Sequence, residues 1–216
     1  MIHKFKHIIW DWNGTLLNDT ALSLNIINRL LKKKNLKMLS LEDYRHIFDF
    51  PVKNYYEKAG FNFVEYSFAE VGKEWMDEYE IRKKETNLFE GTNEVLDYIS
   101  SLGIEQSVLS AYSLHTLIEI INEHGLTRYF KNITGLDHIY ATSKLDIGRE
   151  LITKINAPNS EILLIGDTTH DYDVANDLGI KCILISNGHQ SRERLLLSGS
   201  LVLNDIRELI KSSVIN

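Results

Sequence analysis

Two apolar runs in this chain finish on an aspartate. Ile8-Ile9-Trp10 gives way to Asp11, and Ile162-Leu163-Leu164-Ile165 gives way, after Gly166, to Asp167. Short apolar runs rich in β-branched residues read as strands of a parallel sheet buried on both faces, and open α/β sheets bind ligands beyond the carboxyl ends of their strands. Two such strands in one sheet would bring Asp11 and Asp167 together, where like charges repel unless a cation joins them. Asp171, in G-D-T-T-H-D, can add a third carboxylate, and an all-oxygen set of this kind suits Mg²⁺. Plainer readings stand beside these: Asp11-Trp12-Asn13-Gly14 is ordinary turn chemistry, and Asp171 can cap the helix that follows it.

Two further residues fall at the same edge. Ser110 follows Val108-Leu109 and can donate to an anionic oxygen near Asp11, or cap a helix. Lys144, just before an apolar helical pattern, can reach the crevice to neutralise a phosphoryl group, or can be an ordinary surface lysine.

These residues need strands and helices to position them. Behind Asn18, Asp19 and Thr20, which supply helix-cap candidates, Leu22, Ile26, Ile27, Leu30 and Leu31 recur at helical spacing. From Ser40 to about Lys84 the pattern predicts helices only: Leu41 to Phe48, Val52 to Ala59, and a face of Phe68, Val71, Trp75 and Tyr79. The many aromatics there, Tyr44 and Tyr79 included, read as the core of a small helical unit. From Phe89 strand and helix alternate, the rhythm of a parallel sheet with right-handed crossovers. Strands are expected at 104–109, around Ile133, at 162–165, at 181–186 and, as an edge, at 201–203. The fold class is α/β, a doubly wound, mostly parallel, Rossmann-like sheet with an inserted α-helical unit.

D-W-N-G-T-L resembles the first motif of the haloacid dehalogenase-like hydrolases, D-x-D-G-T-[LV], with Asn13 where the family has its second Asp. The order Asp11, Ser110, Lys144, Asp167-x-x-x-Asp171 resembles the family's four motifs, at the spacing of members with a helical cap between the first and second. F-E-G-T-N-E-V-L resembles the return from cap to core, with Glu90 where Pro is usual. S-N-G-H-Q with Arg194-Leu195 resembles the phosphoglycolate phosphatase-like branch. The resemblance implies a core of 1–17 and 89–216 and a cap of 18–88. It implies Asp11 as the nucleophile that forms an aspartyl-phosphate, and Mg²⁺ held by Asp11, Asp167 and the main-chain carbonyl of Asn13, with Asp171 supporting the metal shell. Ser110 and Lys144 become the phosphate-holding pair. By position, Arg45, Asp49, Phe50 and Lys53, around the bend at Pro51, are candidates for choosing the substrate.

Asn13 matters because an acid is needed to protonate a leaving alcohol, and the same group as base activates water. An amide does neither, a deficit of ~10²–10⁴-fold for poor leaving groups. His170 is a conceivable substitute, although the family often has His there without that role. The expected activity is a Mg²⁺-dependent phosphatase acting on a small phosphorylated metabolite; the alternative is a non-catalytic or regulatory relative that binds phosphate or a partner. A signalling receiver would need its acidic pair before the nucleophile strand, and the G-D-x-x-x-D pattern speaks against a dehalogenase.

Composition narrows the partners. The 216 residues carry a net charge of -6 with no long basic stripe, which disfavours nucleic acid and anionic membranes. One cysteine, Cys182, permits no internal disulfide and reads as a buried inert thiol. No signal core or membrane-length apolar run is expected, so the location expected is cytoplasmic.

Overall fold

The computed structural model describes residues 2–136 and 143–211. Its centre is β1 (His7–Trp10), flanked on both sides in parallel register by β4 (Glu105–Ser113) and β6 (Ile162–Gly166). With β5 (Asn132–Leu136), β7 (Lys181–Ile185) and β8 (Leu201–Leu203) these form a six-stranded sheet in the order β5-β4-β1-β6-β7-β8. Every recorded pairing in it is parallel.

Alternation along β1 explains why its run Ile8-Ile9-Trp10 is apolar. Ile8 and Trp10 join one buried cluster, with Val95, Leu96 and Ile99 of α5 (Thr92–Ser101) and Leu117 and Ile121 of α6 (Leu114–Glu123). Ile9 joins the opposite one, with Ile147 and Leu151 of α7 (Lys144–Lys154) and Val174 of α8 (Thr169–Asp177). A strand covered on both faces has no side for polar residues.

Between β1 and β4 the chain leaves and re-enters through a two-stranded antiparallel ribbon, β2 (Leu17–Asn18) against β3 (Asn87–Leu88). The excursion holds α1 (Thr20–Lys33), α2 (Leu41–Ile47), α3 (Val52–Ala59) and α4 (Phe68–Arg82), with a core of its own built on Ile27, Leu31, Tyr44, Tyr55, Tyr56 and Phe61. Tyr79 departs from the expected packing role: it lies with the core cluster of the sheet and uses its phenol at the site described below. Past β7, a short helix α9 (Arg192–Leu196) precedes the edge strand β8. No helix among the described residues is long and apolar enough to cross a membrane.

Two expected boundaries shift. β4 does not stop before Ser110 but runs to Ser113, with a register shift against β5 between Leu109 and Ser113. Bulges of this kind re-aim side chains next to functional sites. α8 begins at Thr169, ahead of Asp171 and not after it, because Thr168 and Asp171 form a capping box that supplies the helix with its first hydrogen-bond acceptor.

Candidate active site

Trp10 pairs with Ile165, so the residues that follow β1 and β6 leave the sheet side by side. The Asp11 amide donates to the Ile165 carbonyl at 2.8 Å, which holds the two turns in register. Both turns are tight. Gly14 sits at φ +75°, and a Cβ there, or at Gly188, would fall on the Asp167 carboxylate. Glycine is required at both because backbone packs directly onto that carboxylate.

The result is a buried acidic cluster. Asp11, Asp167 and Asp171 each offer an oxygen within 4.8 Å of the others. Thr15 lies across two of them, its hydroxyl 3.3 Å from Asp11 Oδ2 and 3.2 Å from Asp167 Oδ1. Lys144 Nζ donates to Asp11 Oδ1 and, at 2.6 Å, to Asp171 Oδ1. The alternatives open for Asp171 are both realised, one per oxygen: Oδ1 receives Lys144, while Oδ2 takes the Thr168 hydroxyl at 2.7 Å and its amide at 3.0 Å. Lys144, first residue of α7, is likewise buried and not on the surface.

One ammonium does not balance three carboxylates. Burial pushes the Asp11 carboxyl up to about 6 against the pull of Lys144, and burial with the neighbouring carboxylates pushes Asp167 up to about 8. Lys144 itself is held well above the usual lysine range by its two carboxylate partners, which outweigh its own desolvation. A compact set of buried hard oxygens short of positive charge fits a small divalent cation. Asp11 Oδ2 and both oxygens of Asp167 are free of Lys144, whereas Asp171 has Oδ1 on Lys144 and Oδ2 on Thr168.

Ser110 is buried, and its oxygen accepts the Tyr112 amide at 3.1 Å, fixing the hydroxyl within the bulge. The substrate candidates from the helical excursion are placed differently. Arg45 donates through Nε to the Gly188 carbonyl at 2.9 Å and through Nη2 to the Asn187 carbonyl at 2.6 Å. Lys53 is exposed, with its ammonium 6.0 Å from the Phe63 ring centre. Asp49 pairs with Lys58 and Arg194, and Phe50 stacks on His170 at 4.8 Å. Among the described residues none of these four is hydrogen-bonded to Asp11, Asp167, Asp171, Ser110 or Lys144.

Three residues the sequence reading did not assign complete the site. Asp19 precedes α1, yet its side chain makes no capping bond. It turns instead towards the Asp11 loop. Its Oδ1 accepts the Gly14 amide at 2.9 Å and faces His189 Nε2 at 3.1 Å; its Oδ2 accepts Asn13 Nδ2 and the Tyr79 hydroxyl, each at 2.9 Å, and Ser23 at 3.4 Å. Burial favours a neutral Asp19, but His189 and these donors overcome it and keep the carboxyl below its usual range. Against its own desolvation, His189 is raised to about 9 by Asp19. Its other ring nitrogen meets the Tyr44 hydroxyl at 2.8 Å, and its amide donates to Asp167 Oδ2 at 2.6 Å. Asp19 lies just past the Asp11 motif and read only as a helix cap, Tyr79 read only as a core aromatic, and His189 lies in the S-N-G-H-Q stretch with nothing in the sequence to link it to Asp19, because the fold alone brings them together.

A family model described as haloacid dehalogenase-like hydrolase matches residues 8–185. A phosphoglycolate phosphatase of Pseudomonas syringae is 24% identical over 213 residues, covering 95% of this chain and 78% of its own. The pyrophosphatase PpaX of Listeria welshimeri is 22% identical over 187 residues, covering 82% of this chain and 81% of its own. Among solved structures, a haloacid dehalogenase-like family hydrolase of Streptococcus pneumoniae superposes with a TM-score of 0.82 at 18% identity, over 96% of this chain and 97% of that one.

Proposed function

The chain belongs to the haloacid dehalogenase-like hydrolases, and from that membership we propose that it is a Mg²⁺-dependent phosphatase of a small phosphorylated metabolite, working through an aspartyl-phosphate on Asp11. The observation that carries this reading is the buried convergence of Asp11, Asp167 and Asp171, with Lys144 paired to Asp11 and Asp171. Asp11, Asp167 and the main-chain carbonyl of Asn13 would hold Mg²⁺, with Asp171 steadying the set. The ion supplies positive charge for the transferring phosphoryl oxygens.

The chain's own residues do the rest. Lys144 and the Ser110 hydroxyl hold phosphoryl oxygens, and Lys144 also keeps Asp11 ionised and in place. An Asp11 oxygen attacks phosphorus in line, the bond from phosphorus to the leaving oxygen breaks, and its electron pair leaves with the group released. Water then attacks the aspartyl-phosphate and Asp11 is regenerated, both hydrogens of the water ending on inorganic phosphate.

Residues 18–88 act in this reading as a cap that excludes water and selects the substrate. Asn13 sets the substrate class. With no carboxyl at that position, phosphoryl donors whose leaving oxygen needs no proton, acyl and aryl phosphates, turn over faster than alkyl phosphates. The relatives' names cover both a phosphomonoester and a phosphoanhydride, so the family leaves that choice to such local chemistry. A cytoplasmic location goes with a soluble metabolite as substrate.

Phosphate release from a panel of acyl, aryl and alkyl phosphates, with and without Mg²⁺, tests the reading. Mg²⁺-dependent turnover that disappears in Asp11→Asn is expected; no turnover of any phosphoryl donor would overturn it. The non-catalytic alternative rests on Asn13 and predicts binding of beryllium fluoride with Mg²⁺ but no turnover.

A further inference from the structure

Asn13 occupies the place where an acid and base is wanted, and the structure fixes which end of its amide faces inward. Nδ2 has two hydrogens and both have acceptors: Asp19 Oδ2 at 2.9 Å and the Tyr79 phenol oxygen at 2.7 Å. The phenol, having received one of them, donates its own hydrogen to Asp19 Oδ2, closing a triangle. Turning the amide over would set Oδ1 against the ionised Asp19 carboxylate, oxygen lone pairs against oxygen lone pairs, and would draw the phenol hydrogen away from Asp19 to satisfy Oδ1. One orientation is therefore favoured, and among the described residues Asn13 Oδ1 is the end of the amide with no hydrogen bond.

We propose that Asp19 is a positioning residue of this site, locking the Asn13 amide so that Oδ1 alone is presented to the reacting groups as a hydrogen-bond acceptor. Its kinetic part rests on the phosphatase reading; its structural part does not. An acceptor at this place can take one hydrogen of the attacking water and aim its oxygen at phosphorus, but it has nothing to donate to a leaving oxygen. Asp19 does not itself take over the missing acid: it is 2% exposed and its two oxygens are engaged by Gly14, His189, Asn13, Tyr79 and Ser23.

The lock is also assembled from separate parts of the fold. Tyr79 comes from α4, and His189, which braces Asp19, is itself braced by Tyr44 of α2. Asn13 is thus oriented only while the helical excursion is seated on the sheet, so the seated cap and the working geometry of residue 13 arise together.

The test reads the amide directly. In protein labelled with ¹⁵N-asparagine, the Asn13 side-chain NH₂ pair is assigned by its absence in Asn13→Ala. Asp19→Asn should speed exchange of that pair about tenfold, the factor carried by one hydrogen bond to a charged group. Unchanged exchange would overturn the proposal. Tyr79→Phe keeps the ring and removes one acceptor, so it should expose one of the two hydrogens; if Asp19→Asn does not fold, that variant decides alone.

The kinetic arm follows hydrolysis of aspartyl-phosphate on Asp11 by intact mass after acid quench, with acetyl phosphate as phosphoryl donor. Asp19→Asn should slow that step about tenfold in the wild-type background and leave it unchanged in Asn13→Ala, since an effect exerted through Asn13 vanishes with it. Equal slowing in both backgrounds would mean that Asp19 acts independently and would overturn the proposal. Failure of wild-type protein to form the phosphoenzyme would refute the phosphatase reading, while the exchange measurement still decides the orientation of Asn13.

Discussion

At the scale of single residues, the site is governed by how many carboxylates share too little positive charge. Asn13 Nδ2 is 2.9 Å from Asp19 Oδ2, so Asn13→Asp places a second carboxylate against an ionised one. Two carboxylates at that distance hold one proton between them at neutral pH. Asn13→Asp should therefore hydrolyse alkyl phosphates ~10²-fold faster, the lower end of what a positioned acid contributes. It should also be less stable than wild type, the more so at pH 8 than at pH 5, and melting curves at the two pH values check this. Fresh protein must be used, because Asn13-Gly14 is prone to deamidation, which would create the same variant. Asp167 gives the opposite result. Its folded pKa, about 8, lies above the ordinary 3.8, so its ionisation opposes folding, and that stability is lost as pH rises from about 4 through 8. Asp167→Asn keeps an acceptor for the His189 amide and should melt higher than wild type at pH 8 in EDTA, while losing any gain from added Mg²⁺.

At the scale of elements, the helical excursion is fastened to the sheet on two sides. On one, residues 187–194 grip the end of α2: Arg45 binds the Asn187 and Gly188 carbonyls, Gln190 Nε2 binds the Phe48 carbonyl at 3.0 Å, and Arg194 binds the carbonyls of His46 and Phe48 and the Asp49 carboxylate. On the other, the Tyr112 hydroxyl of β4 donates to Glu80 of α4, while Lys83 and Lys84, just past α4, reach Glu119 and Glu123 of α6 at 2.7 and 2.6 Å. The first clasp is made chiefly by guanidinium forks on main-chain carbonyls, and breaking one leaves part-buried acceptors unmatched. Arg45→Ala should therefore cost about 1–3 kcal/mol of stability. It should also accelerate amide exchange across α2 and α3, with KM for a phosphate ester raised more than kcat is lowered. If Arg45 instead contacts substrate, KM rises without the change in exchange. Added Mg²⁺ with beryllium fluoride should slow exchange over 52–79.

At the scale of the whole molecule, the sheet is covered on both faces and its carboxyl edge concentrates uncompensated charge. A ligand that binds only the folded state stabilises it by mass action, by about 2.7 kcal/mol at a concentration 100 times its Kd. Titrating Mg²⁺ should raise the melting temperature progressively and by several degrees in all, EDTA should reverse it, and Asp11→Asn should blunt it. A flat response would leave the acidic cluster without the role assigned to it.

The sheet itself was legible because its signals are local. An apolar run with no polar face, a glycine where backbone must bend, and an aspartate at each run's end are properties of a few consecutive residues, and they determined the strands, the edge and the positions of Asp11 and Asp167. Lys144 and Asp171 were legible as candidates but not as partners, since a lysine before a helix and an aspartate in a first turn each have an ordinary local use. Only packing closed the Asp11 to Lys144 contact, across 133 positions of sequence. The same holds more strongly for the ring around Asn13. Asp19 has the local signature of a helix cap and Tyr79 that of a core aromatic; His189 lies 170 positions from the carboxylate it braces. Their roles depend on how the excursion sits against the sheet, a long-range geometry that composition and periodicity do not encode, and the tertiary structure alone turned a cap candidate, a core aromatic and a distant histidine into the support of the site.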